Sequence, residues 1–308
     1  MRSIEMVEVG PRDGLQNESE IVTTSNKVAL IANLVKAGAR RIEVASFVNP
    51  ARVPQMADAE DVLAALPDGD AVYIGLVLNR RGAVRALATK VHELGAVCVA
   101  TDTFAMRNQG QTSAESLDIA CEIVDVALAA GRRAQITIGA AFGCPFEGEV
   151  SQDRVVDMAR RAAASGAIEV ALADTIGVAV PADVAALVAR VRAEIAPLPV
   201  RVHLHNTRNT GLANVWAAVE AGAATIDAAL GGLGGCPFAP GAAGNVPTED
   251  VVYLLERSGV TTGLDLDALI DAAGWFTQIM GRPLPGMVSK AGRFPPVPTH
   301  LLEKAGKA

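Results

Sequence analysis

The sequence is short of cysteine and of blocks of like charge, and each shortage excludes a class of protein. Four cysteines among 308 residues are too few for a disulfide-stapled secreted scaffold, which favours a reducing compartment. Lys and Arg number 27 against 34 Asp and Glu, a net charge of −7, and no basic block is present. We therefore expect no nucleic-acid partner.

A long uninterrupted apolar run is also missing. The most apolar stretch, residues 169–191, is interrupted by Asp174, Asp183 and Arg190 and is divided by Pro181, so we expect no membrane span and no membrane partner. Glu5 and Glu8 occupy the place where a signal peptide needs an apolar region. The expected location is the cytoplasm. Half of the residues are nevertheless hydrophobic, which is ample for a large core and excludes disorder as the dominant state.

A loose repeat runs through the chain. Gly38, Gly95, Gly166 and Gly222 lie 56 to 71 residues apart, and each follows an Ala-rich stretch and precedes a short β-type run. A glycine in this place is typical of the left-handed residue that ends a helix. Each interval has room for about two β–α units.

Eight strands alternate with helical patterns, which predicts a parallel sheet with right-handed crossovers. The predicted strands are residues 4–9, 41–47, 71–78, 96–101, 134–141, 169–173, 200–205 and 225–230. The clearest predicted helices between them are residues 25–36, 114–130, 153–164, 181–194 and 210–221. Eight units in about 250 residues favour an α/β fold of the (β/α)₈ TIM-barrel type. A doubly wound open sheet is the alternative.

No linker divides the chain into two folded units. We predict one catalytic barrel over residues 1–280, which includes additional C-terminal helices at 248–257 and 266–280. Residues 281–308 contain five prolines and are predicted to form an extended or partly disordered tail.

The polar residues collect where the predicted strands end, which is the active-site face of such a barrel. His203 and His205 are two apart on one strand, so both imidazoles point to the same face. Two histidines and one carboxylate suit a divalent metal ion with open positions. Asp13, after strand one, is the favoured carboxylate and Asp174 is its competitor. The alternative for the histidines is a hydrogen-bonded interior pair.

Arg12 and Cys236 are the other candidates for chemistry. Arg12 presents a planar donor fork suited to an oxyanion, although taken alone it fits a structural ion pair better. Cys236 lies in a glycine-rich loop that we interpret as a mobile flap over the site. A thiol there starts mostly protonated, and it could act as a nucleophile, act as an acid or take no part in the reaction. Cys144 is its rival and is expected to be structural. The glycines also allow a phosphate cradle or simply a tight turn.

These segments together resemble the 3-hydroxy-3-methylglutaryl-CoA (HMG-CoA) lyase family, the metal-dependent barrel lyases with an Arg-Asp motif after strand one. The resemblance extends to about residue 280. Its most specific parts are VEVGPRDGLQNE at residues 7–18 and the loop of Cys236 that ends in GNVPTED at residues 244–250. IEVASF at residues 42–47 and DTIG at residues 174–177 also match.

The resemblance implies a retro-Claisen cleavage of HMG-CoA to acetyl-CoA and acetoacetate. A related lyase for another 3-hydroxyacyl-CoA and, third, a Claisen-type synthase are the alternatives. The implied partner is an acyl-CoA thioester, the implied assembly is a homodimer, and the implied cofactor is Mg²⁺ or Mn²⁺. The implied metal ligands are Asp13, His203, His205 and Asn245.

The resemblance also implies the remaining roles. Arg12 would polarise the thioester carbonyl and Cys236 would be the catalytic acid. Glu43 and Asp174 would orient the ligands and the proton path, with Asp13 and His203 also taking part in catalysis. Arg12, Gln16 and Asn17 would bind substrate.

The chain departs from the family pattern in two places. Asn206, Thr207, Arg208 and Asn209 follow the histidines where Asp-Thr-Tyr-Gly is usual, and Ser19 replaces a basic residue. The first change predicts a neutral amide beside the metal and an added cation. Both changes bear on which acyl group is cleaved, and the first leaves the metal, the acid and so the reaction type intact.

Overall fold

The computed structural model describes residues 2–235 and 244–295, and in them eight parallel strands close into a barrel in chain order. This confirms the predicted TIM-barrel class. The strands are β1 (Glu5–Glu8), β2 (Arg41–Ser46), β3 (Val72–Val77), β4 (Glu93–Val99), β5 (Arg133–Gly139), β6 (Val170–Asp174), β7 (Val200–Leu204) and β8 (Thr225–Ala228). Two further strands, Arg2–Ser3 and Val260–Thr261, pair with each other outside the barrel.

Helices surround the barrel, and each of those described except the last, α11, buries apolar residues. They are α1 (Thr24–Lys36), α2 (Ala59–Ala65), α3 (Arg80–Leu87), α4 (Asp102–Gln109), α5 (Ser113–Ala129), α6 (Gln152–Ala164), α7 (Pro181–Ile195), α8 (Gly211–Glu220), α9 (Thr248–Arg257), α10 (Leu266–Met280) and α11 (Val288–Ala291). Among the described residues no helix combines the length and apolar character that a membrane crossing requires.

Three of the four glycine junctions are confirmed. Gly38, Gly166 and Gly222 have φ values of +98°, +89° and +91°, the left-handed conformation that ends a helix. The prediction for Gly95 was wrong, because this residue lies inside β4. A Cβ at Gly95 would come within 2.9 Å of Gln135 Nε2, so the glycine serves a close approach across the barrel interior.

Part of the C-terminal tail packs against the barrel. Leu284 is buried, and the amide of Gly286 donates to the carbonyl of Gly231 over 2.9 Å. The carboxylate of Asp250 accepts the amides of Met287 and Val288 at the start of α11. Residues 284–291 therefore pack beside the end of β8, and residues 296–308 lie outside the described part.

Candidate active site

Asp13, His203 and His205 meet at the C-terminal ends of the strands. Asp13 lies in a tight π-helical turn, Gly10–Gly14, that follows β1, and the two histidines come from β7 and the residue after it. Asp13 Oδ2 is 3.8 Å from His203 Nε2 and 3.7 Å from His205 Nε2. The two Nε2 atoms are 3.1 Å apart. Closure of the barrel places the first and seventh strands close enough for this contact.

The donor atoms of this cluster fit a metal ion. They all lie within 4.8 Å of one another, and Asp174 is not part of the group. Burial alone would raise the pKa of Asp13, but Arg12 and the imidazoles hold it well below its usual value, so the carboxylate is charged. Two ring nitrogens 3.1 Å apart require a shared proton or cation between them. The two imidazoles and the carboxylate match a borderline-to-hard divalent ion.

Asn245 adjoins the cluster. Its Nδ2 donates to Asp13 Oδ2 over 2.7 Å and to the carbonyl of Leu233 over 3.0 Å. Because both amide hydrogens are used, Oδ1 is the atom that this side chain has to offer a cation. A bridge between Asn245 and His205 fixes the segment at the end of β7.

Asp227 is a site residue that the sequence reasoning missed. It faces His203 in the register of β7 and β8, and its Oδ2 lies 3.1 Å from His203 Nδ1. Burial alone would lower the pKa of His203, but the bond to Asp227 and the charge of Asp13 raise it. A carboxylate on Nδ1 directs Nε2 towards the metal position. By contrast, the buried Nδ1 of His205 has no hydrogen-bond partner among the described residues.

Arg12 joins the cluster to Glu43. Its Nε donates to Glu43 Oε1, and its Nη1 donates to Asp13 Oδ1 over 2.5 Å. Burial alone would lower the pKa of Arg12, but the two carboxylates raise it, so the guanidinium keeps its charge beside the cavity. Glu43 thus orients Arg12 and lies outside the metal cluster.

Asp174 supports the loop after β6. Its carboxylate accepts the amides of Val178 and Ala179 over 2.9 and 3.0 Å, and the residue is fully buried. Burial raises the pKa of Asp174, with the two amide bonds acting against it. Asp174 therefore holds the loop after β6 in place beside the metal-ligand cluster.

The other predicted residues lie around the site. Gln16 accepts a hydrogen bond from Ser46, and Asn17 donates to the carbonyl of Gly235 over 2.9 Å. Cys236 falls outside the described residues. Cys144 is buried, and its Sγ is 3.0 Å from Thr101 Oγ1, a position that fits the expected structural thiol.

The two unusual residues after the histidine pair serve the backbone. Asn206 Oδ1 accepts the amide of Gly211 at the start of α8, and Arg208 donates to the carbonyls of Ile176 and Gly177. The sequence predicted a neutral amide beside the metal and an added cation. In the structure both side chains hold loops, and their bearing on the acyl group stays a prediction.

A small cavity of about 140 Å³ opens beside the cluster. Arg12, Asp13 and His203 form one side, while Leu76, Val97 and Gly139 contribute to the other. The volume is below the roughly 300–1,000 Å³ of sites for drug-sized ligands, so this cavity has room for only a small group.

Comparisons with known proteins show which family the chain belongs to. The family model described as HMGL-like matches residues 3–275. The chain is 46% identical to (R)-citramalyl-CoA lyase of Chloroflexus aurantiacus, over 95% of this chain and 96% of the relative. It is 37% identical to the hydroxymethylglutaryl-CoA lyase YngG of Bacillus subtilis, over 92% and 95%.

A solved structure is similarly close. An HMG-CoA lyase from Acinetobacter baumannii, in complex with coenzyme A and 3-methylmalate, has a TM-score of 0.91 and 42% identity, covering 96% of this chain and 98% of that one. Fold, site and relatives together define a barrel lyase that acts on a CoA ester. The chain belongs to the HMG-CoA lyase family, as its motifs predicted.

Proposed function

We propose that this enzyme cleaves the C2–C3 bond of a short 3-hydroxyacyl-CoA that carries a methyl group and a carboxylate at C3, releasing acetyl-CoA. The observation that carries the proposal is the convergence of Arg12 with Asp13, His203 and His205 at one side of a small cavity. We name (R)-citramalyl-CoA as the preferred substrate, with pyruvate as the second product.

The similarity to the citramalyl-CoA lyase, 46% against 37% for the B. subtilis HMG-CoA lyase, supports this order of substrates. HMG-CoA, which would yield acetoacetate, is the second candidate, and the 42% identical HMG-CoA lyase structure favours it. A synthase running in the condensing direction ranks third, because the relatives at 46% and 37% identity are named lyases.

The chemistry divides between the metal and the chain. A divalent ion, Mg²⁺ or Mn²⁺, held by Asp13, His203, His205 and the oxygen of Asn245, would lower the pKa of the substrate hydroxyl. Once a base at the site has accepted that proton, the C3–O bond becomes a carbonyl and the electron pair of the C2–C3 bond moves into the thioester enolate. Arg12 holds the charge that develops on the thioester oxygen.

The enolate carbon then needs a proton, and we assign its delivery to the thiol of Cys236. Asn17 contributes by holding the carbonyl of Gly235, the residue before this cysteine. Gln16, Asn17 and Arg12 line the substrate's approach in this proposal. Asp174 fixes the loop beside the cluster and so acts through position.

The test is a panel of (R)-citramalyl-CoA, its (S) isomer and HMG-CoA, assayed for acetyl-CoA with the second product identified by mass. We expect activity to disappear with a chelator and to return with Mg²⁺ or Mn²⁺. A metal-loaded protein that releases acetyl-CoA from none of the three thioesters would refute the proposal.

We further propose that the protein is a cytoplasmic homodimer whose catalytic unit comprises residues 1–280. Family resemblance and the prevalence of symmetric dimers support the assembly. Light scattering after size-exclusion chromatography measures the mass directly, and a monomer with full activity would refute the dimer.

A further inference from the structure

One wall of the acyl cavity lies across the barrel from the metal cluster. The cluster comes from β1 and β7, whereas the facing wall comes from β3, β4 and β5, two to four strands away around the ring. Leu76, Val97, Thr137 and Gly139 belong to this wall. If the substrate's reacting oxygens engage Arg12 and the cluster, its C3 substituents point towards this wall.

Gly139 is the smallest position in that wall. It follows Thr137 by two residues on β5, so both face the barrel interior. A Cβ added at Gly139 would have its nearest heavy atoms at 3.5, 3.7 and 3.8 Å, which are ordinary van der Waals distances. Its φ is not left-handed. The fold therefore does not require a glycine here.

Other glycines of the site differ in this respect. A Cβ at Gly14 would come within 2.8 Å of Leu233, and Gly177 has a φ of +61° with Thr207 at 2.8 Å. Close packing at Gly14 and the left-handed backbone at Gly177 explain why a glycine is present at these two positions. Gly139 has neither, and what its missing side chain supplies is space in the cavity.

We propose that Gly139, together with Leu76 on the same wall, determines how long a C3 substituent the enzyme accepts. This inference rests on the proposed lyase function. The two candidate substrates differ by one methylene, because the carboxylate is attached to C3 directly in citramalyl-CoA and through a CH₂ in HMG-CoA. In a cavity of about 140 Å³ a single carbon is a large fraction of the available room.

The experiment measures the ratio of kcat/KM for (R)-citramalyl-CoA to that for HMG-CoA in two opposed variants. Gly139→Ala shortens the cavity and should raise the ratio about 10- to 200-fold, the usual effect of one methylene in an apolar pocket. Leu76→Val lengthens it and should move the ratio in the opposite direction. Gly274→Ala is the matched control, since that glycine lies on α10 with nothing within 4 Å of its added Cβ.

Circular dichroism and Mn²⁺ binding of each variant separate a change of preference from a change of fold. Opposite shifts in the two variants, with an unchanged ratio in Gly274→Ala, support the inference. An unchanged ratio in both wall variants, in an enzyme that still cleaves either thioester, overturns it and leaves the proposed function standing. A wild type that cleaves neither thioester overturns both.

Discussion

Arg12→Lys separates the charge of the guanidinium from its shape. Arg12 has a relative exposure of 8%, and two of its three nitrogens are used, Nε by Glu43 and Nη1 by Asp13. Its Nη2 makes no hydrogen bond to the residues that the structure describes, so this nitrogen is the donor left for substrate. A lysine ammonium has a single nitrogen and cannot hold two carboxylates while facing the substrate.

The magnitude follows from the loss of that donor. Removing one hydrogen bond to a developing oxyanion costs about 2.7–4 kcal/mol, or about 10²–10³ in kcat. The enolate charge exists only in the transition state, so KM should change much less than kcat. The positive charge beside Asp13 remains in the variant, and Mn²⁺ binding should therefore stay close to that of the wild type.

The assay is acetyl-CoA release at saturating Mn²⁺, with the Mn²⁺ affinity measured separately. Arg208→Lys is the matched control, because Arg208 donates to the backbone carbonyls of Ile176 and Gly177 and not to the site. A kcat within threefold of wild type in Arg12→Lys would reduce Arg12 to a structural ion pair and refute the reasoning.

Three further predictions concern the ligands, the acid and the fold. Asp227→Asn should weaken Mn²⁺ binding about 10- to 100-fold by freeing His203, whereas Asp118→Asn on the surface should not, and equal affinities would contradict the role of the carboxylate. Cys236→Ser should bind Mn²⁺ normally yet fail to exchange the acetyl protons of acetyl-CoA in deuterated water; full exchange would exclude the thiol as the acid. Burial raises the pKa of Glu8 to about 7 from 4.5, so the folded state retains a proton that the unfolded chain loses between these values. Stability should fall by up to about 3 kcal/mol from pH 5 to pH 8 relative to Glu8→Gln, as denaturant unfolding would measure, and parallel pH profiles would refute this.

The fold was predictable because its local signals repeat. All eight strands appear within three residues of their predicted starts, and α9 and α10 match their predicted bounds. Helices α2, α3 and α4 escaped notice because each has only seven or eight residues, too few for a clear apolar period. Gly95 was wrongly predicted to end a helix, because a glycine inside a strand and a glycine that ends a helix look alike in a sequence.

The site was predictable only in the part that motifs carry. The same-face histidines and Asp13 follow from strand period and barrel closure. The sequence signal for Asp227 was weaker, since it is only an isolated acid within an apolar strand. Its pairing with His203 depends on the register between β7 and β8, which the sequence does not show. The hydrogen-bond partners of Asn206 and Arg208 were not predictable, because a sequence does not reveal which backbone groups a polar side chain will satisfy.

The barrel interior explains why an acid within a strand is tolerated at all. In β7, Arg201 and His203 face inward while Val202 and Leu204 face the helices, so the alternation is apolar outside and polar inside. Glu169 lies 2.6 Å from Arg41 and 3.4 Å from Arg201.

Asp227 extends this series of ion pairs towards the active site, because it lies 3.5 Å from Arg201 and 3.1 Å from His203. Each charge in this series therefore has an opposite charge next to it, which offsets its desolvation. Because the series ends at a metal-ligand candidate, the ion pairs that permit a charged barrel interior are the same ones that hold an imidazole in position at the active site.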